Sequence, residues 1–160
     1  MNKHFIFSHS NVSPTIRTTF VIAIILIIVF SCTQPQFKPH EGAWNMVFQQ
    51  RVRADTIAWT SPGDFTESNM KIWTKDHFIF VGRATIDTTI YDHYGGGTYT
   101  LDGNRYVETI VYFDTKSSIG TKNKMLLEVR GDSLILTWPA DDNWQIDKSN
   151  YHVEKYVRAE

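Results

Sequence analysis

The stretch KMLLEVRGDSLILTWP, residues 124–139, leaves its side chains little choice of arrangement. Met125, Leu127 and Val129 alternate with Lys124, Glu128 and Arg130, the period of two that belongs to a half-buried strand. Leu134, Leu136 and Trp138 repeat the alternation after Gly131-Asp132. That dipeptide suits a tight hairpin because glycine accepts positive φ. Folding the two runs about it sets Val129 opposite Leu134, Leu127 opposite Leu136 and Met125 opposite Trp138. One face of the hairpin is then wholly apolar and the other charged. An isolated hairpin cannot bury such a face, so further strands must continue the sheet.

The sequence supplies them from residue 42 onward. In GAWNMVFQQRVRA, residues 42–54, Trp44, Met46 and Phe48 alternate with Asn45 and Gln49. Residues 55–69 read as a loop punctuated by Pro62-Gly63. MKIWT and HFIFVGRAT follow, with Lys75-Asp76 at the turn between them. GGTYTL and RYVETIVYF flank Asp102-Gly103, a strong hairpin signal. YHVEKYVR closes the chain. Tyr106, Glu108, Ile110 and Tyr112 share one face of their strand, and Val107, Thr109, Val111 and Phe113 the other. Eight short strands with tight turns and no amphipathic helix predict an all-β fold, a barrel or a sandwich.

Gly95, Gly96 and Gly97 raise the question of a phosphate-cradling loop. Such a loop runs into a helix N-terminus and usually carries Gly-Lys-Ser/Thr. These glycines run into the strand TYTL, with no lysine after them. They are expected instead to form the bent start of a strand. No Gly-x-Ser-x-Gly elbow occurs, and Ser, His and Asp residues show no triad spacing. His40, His77, His93 and His152 lack the close spacing of a metal site, so no metal and no cofactor are assigned. No basic stripe or motif points to nucleic acid. The chain reads as a binding protein rather than an enzyme.

The N-terminal region carries different information. Lys3 and Arg17 sit in an acid-free leader, followed by the unbroken apolar run FVIAIILIIVF at residues 20–30. Eleven residues match a signal-peptide core and fall short of the ~20 that span a bilayer. Ser31 and the chain's single cysteine, Cys32, come next. The segment resembles the lipobox of bacterial lipoproteins, which implies cleavage before Cys32 and lipidation of its thiol. Residues 1–31 are then a signal peptide, 32–41 a proline-containing tether and 42–160 the barrel domain. Losing Lys3 and Arg17 leaves 14 basic against 17 acidic side chains. With one cysteine, no intramolecular disulfide can form.

GGGTYTLDG, with KIWTKDHF before it and Gly-x-Trp at GAW, resembles the lipocalin-like lipoproteins of Gram-negative bacteria, members of the calycin superfamily. The resemblance covers residues 42–158 and implies an up-and-down barrel of about eight antiparallel strands without implying an activity. It implies that Trp44 closes the barrel floor under a basic residue of the last strand, Arg158 or Lys155. It also implies a cell-envelope location, anchored to a membrane through Cys32. No acidic residue precedes Glu41 in the tether, which favours the periplasmic face over the cell surface.

Two functions remain open on the sequence. A ligand-binding barrel would hold a small apolar or amphipathic molecule against Trp44, Phe78, Phe80, Tyr106, Glu108, Met125, Leu127, Leu136 and Trp138. Glu108 would then need a buried partner: Arg83, Arg53 or the ligand. Alternatively the aromatic residues, 14% of the chain, fill the lumen. The protein would then be an interaction module of the envelope working through residues 55–68 and 139–149.

Overall fold

The computed structural model describes residues 38–159, so the leader, Cys32 and most of the tether lie outside the described residues. Nine strands follow in order: β1 (Gly42–Arg53), β2 (Thr56–Ser61), β3 (Thr66–Trp73), β4 (His77–Ile86), β5 (Thr89–Asp102), β6 (Arg105–Phe113), β7 (Lys122–Arg130), β8 (Ser133–Trp138) and β9 (Asn150–Arg158). Every pairing is antiparallel, and from β3 to β9 each strand pairs with the next. β1 joins β3 on one side, and β9 returns to pair with β1 from Trp44↔Arg158 to Arg53↔Asn150. Eight strands thus close into a barrel, an arrangement compatible with a lipocalin-like fold. Closure pairs each of these eight strands on both sides over at least part of its length.

β2 is the extra strand. β1 pairs with β3 only over Gly42–Asn45, and over Gln49–Arg53 the same edge pairs with β2. Residues 55–69, read from sequence as a loop, therefore contain a strand and the start of another. Their pattern hid this for a physical reason. Half of β2 is polar and only Ser61 in it is buried, with Ile57 63% accessible. β3 is inverted: Glu67 and Lys71 point inward while Met70 faces out. The same inversion lengthens β5 by seven residues, because His93 faces the lumen and Ile90 and Tyr94 face solvent.

The β7–β8 hairpin has the expected register, Val129↔Leu134 and Leu127↔Leu136, and Gly131 has φ +60°. Around the β5–β6 turn Asp102 pairs with Arg105, so the two turn residues are Gly103 and Asn104 rather than Asp102 and Gly103. Two bulges re-aim side chains. One at Val47 puts Gln49 inside with Trp44 and Met46, and sends Phe48 to the face of Lys155. The other lies opposite Gly96 and Gly97, where Val111 is the extra residue. It turns Tyr112 outward, 71% exposed, and brings Phe113 against the core, reversing the faces expected after Ile110.

The triple glycine is therefore not the start of a strand. It lies in the middle of the 14-residue β5, between Phe78–Phe80 of β4 and Ile110–Phe113 of β6. None of the three glycines has positive φ. What they provide is close approach: a Cβ on Gly97 would lie 2.0 Å from the Thr109 carbonyl oxygen, and one on Gly96 2.9 Å from the Phe78 carbonyl. The bulge draws backbones together where no side chain fits.

Candidate functional site

The barrel is closed at one end. Trp44 is fully buried, and its indole Nε1 donates to the His40 carbonyl at 2.9 Å. The Arg158 guanidinium lies on its ring at 4.2 Å, while Lys155 lies over Phe48 instead. Arg158 also donates to the carbonyls of Glu41 (3.1 Å) and Pro39 (2.7 Å), fastening the incoming chain beneath the floor. His40 bonds the Tyr99 hydroxyl at 2.8 Å, and burial holds its pKa below the usual histidine value. Desolvation, with the charges of Glu41 and Asp76, pushes the Tyr99 hydroxyl up to about 12.

Above the floor, Trp73, Phe78, Leu127, Leu134 and Leu136 pack into an apolar plug with Tyr106. A polar chain runs up through it. Trp73 Nε1 donates to the Tyr106 hydroxyl (2.8 Å), which donates to Glu108 Oε1 (2.9 Å). Lys71 Nζ sits 2.5 Å from the same oxygen, and both charged side chains are about 5% accessible. Burial, with the Glu108 charge beside it, drives the Tyr106 pKa well above its ordinary value. The partner of Glu108 is thus Lys71 and neither arginine foreseen. Arg83 is on the outer wall, paired with Asp92 at 2.6 Å, and Arg53 is exposed at the end of β1. Lys71 escaped notice because it stands between two apolar residues, Met70 and Ile72, in an inverted strand.

Beyond this plug the lumen opens into a cavity of about 420 Å³. Of the nine residues proposed from sequence, Phe80, Glu108, Met125 and Trp138 line it. Trp44, Phe78, Tyr106, Leu127 and Leu136 are buried below it in the plug and floor. The rest of the lining comes from residues the sequence reading missed. Trp59 on β2 and Phe65 after it lie over the opening, with Trp59 edge-on to His152 at 5.0 Å and tilted against Phe65 at 5.2 Å. Gln49, Glu67, Asn69, His93, Asn123, His152 and Glu154 supply polar groups.

Those groups form two clusters. Glu67 accepts from Gln49 Nε2 and from Asn69 Nδ2 (3.3 Å), and lies 2.9 Å from His93 Nε2 at ion-pair range without hydrogen-bond alignment. Burial opposes the Glu67 charge, but His93, Asn69 and Gln49 together outweigh it and lower its pKa. Reciprocally, Glu67 raises His93 against the opposing effect of burial. Asn69 Oδ1 is buried and has no hydrogen-bond partner among the described residues. In the second cluster, Glu154 accepts from Trp138 Nε1 (3.2 Å) and from the Tyr156 hydroxyl (2.7 Å). Burial, reinforced by Glu154, raises Tyr156 well above the ordinary tyrosine value. His152, hydrogen-bonded to Gln49 at 3.2 Å, is held low chiefly by burial.

A second hollow, about 580 Å³, lies on the outside of the wall across β4, β5 and β6. Ile79, Val81, Tyr94, Val111 and Tyr112 border it, all 41–71% exposed, and the bare backbone of Gly95–Gly97 forms its bottom. The glycines thus shape a recess without presenting a helix N-terminus or a cationic side chain to an anion. Comparison with protein-family models and with curated proteins found no match to this chain.

Proposed function

We propose that this protein is a lipocalin-like lipoprotein, held to a membrane of a Gram-negative cell envelope through Cys32, that binds a small amphipathic molecule in its barrel. The observation that carries the binding reading is the 420 Å³ cavity, closed below by an apolar plug and lined by both aromatic rings and hydrogen-bonding groups. Ligand sites have this composition: a mostly apolar wall with a few convergent polar groups, in volumes of roughly 300–1,000 Å³. A filled barrel would leave no such space. The proposal does not involve catalysis. The anchor reading rests on the h-region and Ser31-Cys32, and the periplasmic side on a tether without acidic residues before Glu41.

Native mass spectrometry of the delipidated protein, purified without detergent, tests the binding reading. A co-purifying small mass, or uptake of an added amphiphile at one per chain, is expected. An empty barrel that takes up no amphiphile overturns it. Cys32→Ala tests the anchor: the variant should leave the membrane fraction or remain unprocessed. Behaviour identical to wild type refutes lipidation. Protease treatment of intact cells should spare the domain, and its removal would place the domain on the cell surface.

A second reading, an envelope interaction module, is favoured by the exposed apolar border of the outer hollow. Monomeric proteins rarely leave large apolar patches bare without a use. Polar substitution of Tyr112 and Val81 should then abolish association with envelope partners while leaving ligand uptake intact.

A further inference from the structure

The charges around the cavity do not balance, and the imbalance selects a ligand class. Three carboxylates line the cavity: Glu67, Glu108 and Glu154. Glu108 is paired with Lys71 at 2.5 Å, and Glu67 with His93 at 2.9 Å, where the pairing favours the imidazolium. Glu154 has no cation within ion-pair distance among the described residues. Its two oxygens receive only neutral donors, the Trp138 indole and the Tyr156 hydroxyl. Arg51 stands beside Trp138, its buried Nε without a hydrogen-bond partner among the described residues. Its guanidinium lies 6.0 Å from the centre of the Trp138 ring, on which it packs, and its Nη2 is committed to Asn150 at 2.8 Å. The other basic group beside this cluster, His152, is held towards its neutral form chiefly by burial. A carboxylate in a partly enclosed site with neutral donors alone attracts a cation.

The surroundings of Glu154 match the rest of such a ligand. Asn69 lines the same cavity, and its buried Oδ1, without a hydrogen-bond partner among the described residues, is an acceptor that only a donor can satisfy. The Trp138 indole donates to the carboxylate and Trp59 lines the same cavity, and aromatic faces attract alkylammonium groups. Phe80, Phe113, Ile110 and Met125 provide apolar wall for a hydrocarbon body. An anionic amphiphile would find Lys71 already neutralised by Glu108 and would face Glu154 directly.

We propose that the cavity takes a cationic amphiphile, an alkylamine or alkylammonium with an apolar tail, whose cation sits against Glu154. This rests on the reading of the lumen as a ligand cavity. The experiment uses n-octylammonium, n-octanol and n-octanoate, equal in tail and different in charge. They are titrated below their aggregation thresholds into the mature protein, with tryptophan fluorescence and thermal shift as readouts. Octylammonium should bind about tenfold tighter than octanol, equivalent to ~1.4 kcal/mol, and octanoate should bind weakest. Glu154→Gln should erase that tenfold preference, and an unchanged circular dichroism spectrum shows the variant is folded. If Glu154→Gln fails to fold, Glu154→Asp keeps the charge and should retain a reduced preference. Octanoate binding as tightly as octylammonium, or an undiminished preference in Glu154→Gln, overturns the cation assignment while the cavity reading stands. Failure of all three probes to bind overturns both.

Discussion

Lys71 and Glu108 are the most consequential pair in the barrel to break, because both are almost wholly withdrawn from solvent. Both side chains are about 5% accessible, and their charged atoms are 2.5 Å apart. Removing one partner of such a pair typically costs about 3–5 kcal/mol, since a buried charge is left uncompensated. The two single variants should not cost the same. In Lys71→Met, the remaining carboxylate keeps only the Tyr106 hydroxyl as a donor. In Glu108→Gln, the remaining ammonium keeps the faces of Trp73, Phe78 and Phe80 at 5.2, 5.0 and 6.0 Å. Desolvated cation–π contacts offset about 1–2 kcal/mol of the loss. Lys71→Met should therefore lose the full 3–5 kcal/mol and Glu108→Gln roughly 2–3. The double variant Lys71→Met/Glu108→Gln removes both charges and should lie above Lys71→Met in stability. Urea unfolding followed by tryptophan fluorescence at neutral pH measures all four corners of the cycle. Equal losses for the two single variants would refute the aromatic compensation. A double variant less stable than either single would refute the pairing itself.

Three further expectations follow from the geometry. Gly97→Ala places a methyl 2.0 Å from a carbonyl oxygen that cannot rotate away, so it should lose about 3 kcal/mol or more in thermal denaturation; Gly103→Ala, with open space around its Cβ, bears only the smaller cost of φ +60°. Trp44→Ala should cost about 3–5 kcal/mol by chemical unfolding, as large core aromatic truncations do, with Arg158→Met costing less because the ring stays in place. For the Glu67–His93 pair, the raised His93 contributes stability fully below the ordinary value of 6.5 and loses it as pH rises through its folded value, while the lowered Glu67 contributes above 4.5 and loses it as pH falls through its own; the stability gap between wild type and His93→Gln should therefore be widest between about pH 4.5 and 6.5 and shrink at alkaline pH, and a gap that grows above pH 7 would refute the pairing.

The barrel was legible wherever inside meant apolar. β7 and β8 follow that rule, and their register came directly from Leu127, Val129, Leu134 and Leu136. It failed in β2, β3 and the first half of β5, where the strand turns polar residues inward or lies largely exposed. Alternation gives a period and not a direction, so nothing in the sequence turns Glu67, Asn69, Lys71 and His93 inward. A bulge adds a second blindness, since one extra residue reverses every side chain after it. That is how Gln49 entered the lumen and Tyr112 left it. The same residues line the cavity. A lumen lined only by the predicted aromatics and aliphatics would have been filled, and its sequence easy to read. The polar groups that broke the pattern hold the space open because they require partners, and the closed wall gives them only each other or a ligand. Glu108 was the one such residue visible from sequence, because it interrupts an otherwise apolar face. Glu154 sits between Val153 and Lys155 in a strand of mixed pattern and gave no comparable signal. Its lack of a cationic partner is a property of eight strands brought together, and no single strand carries it.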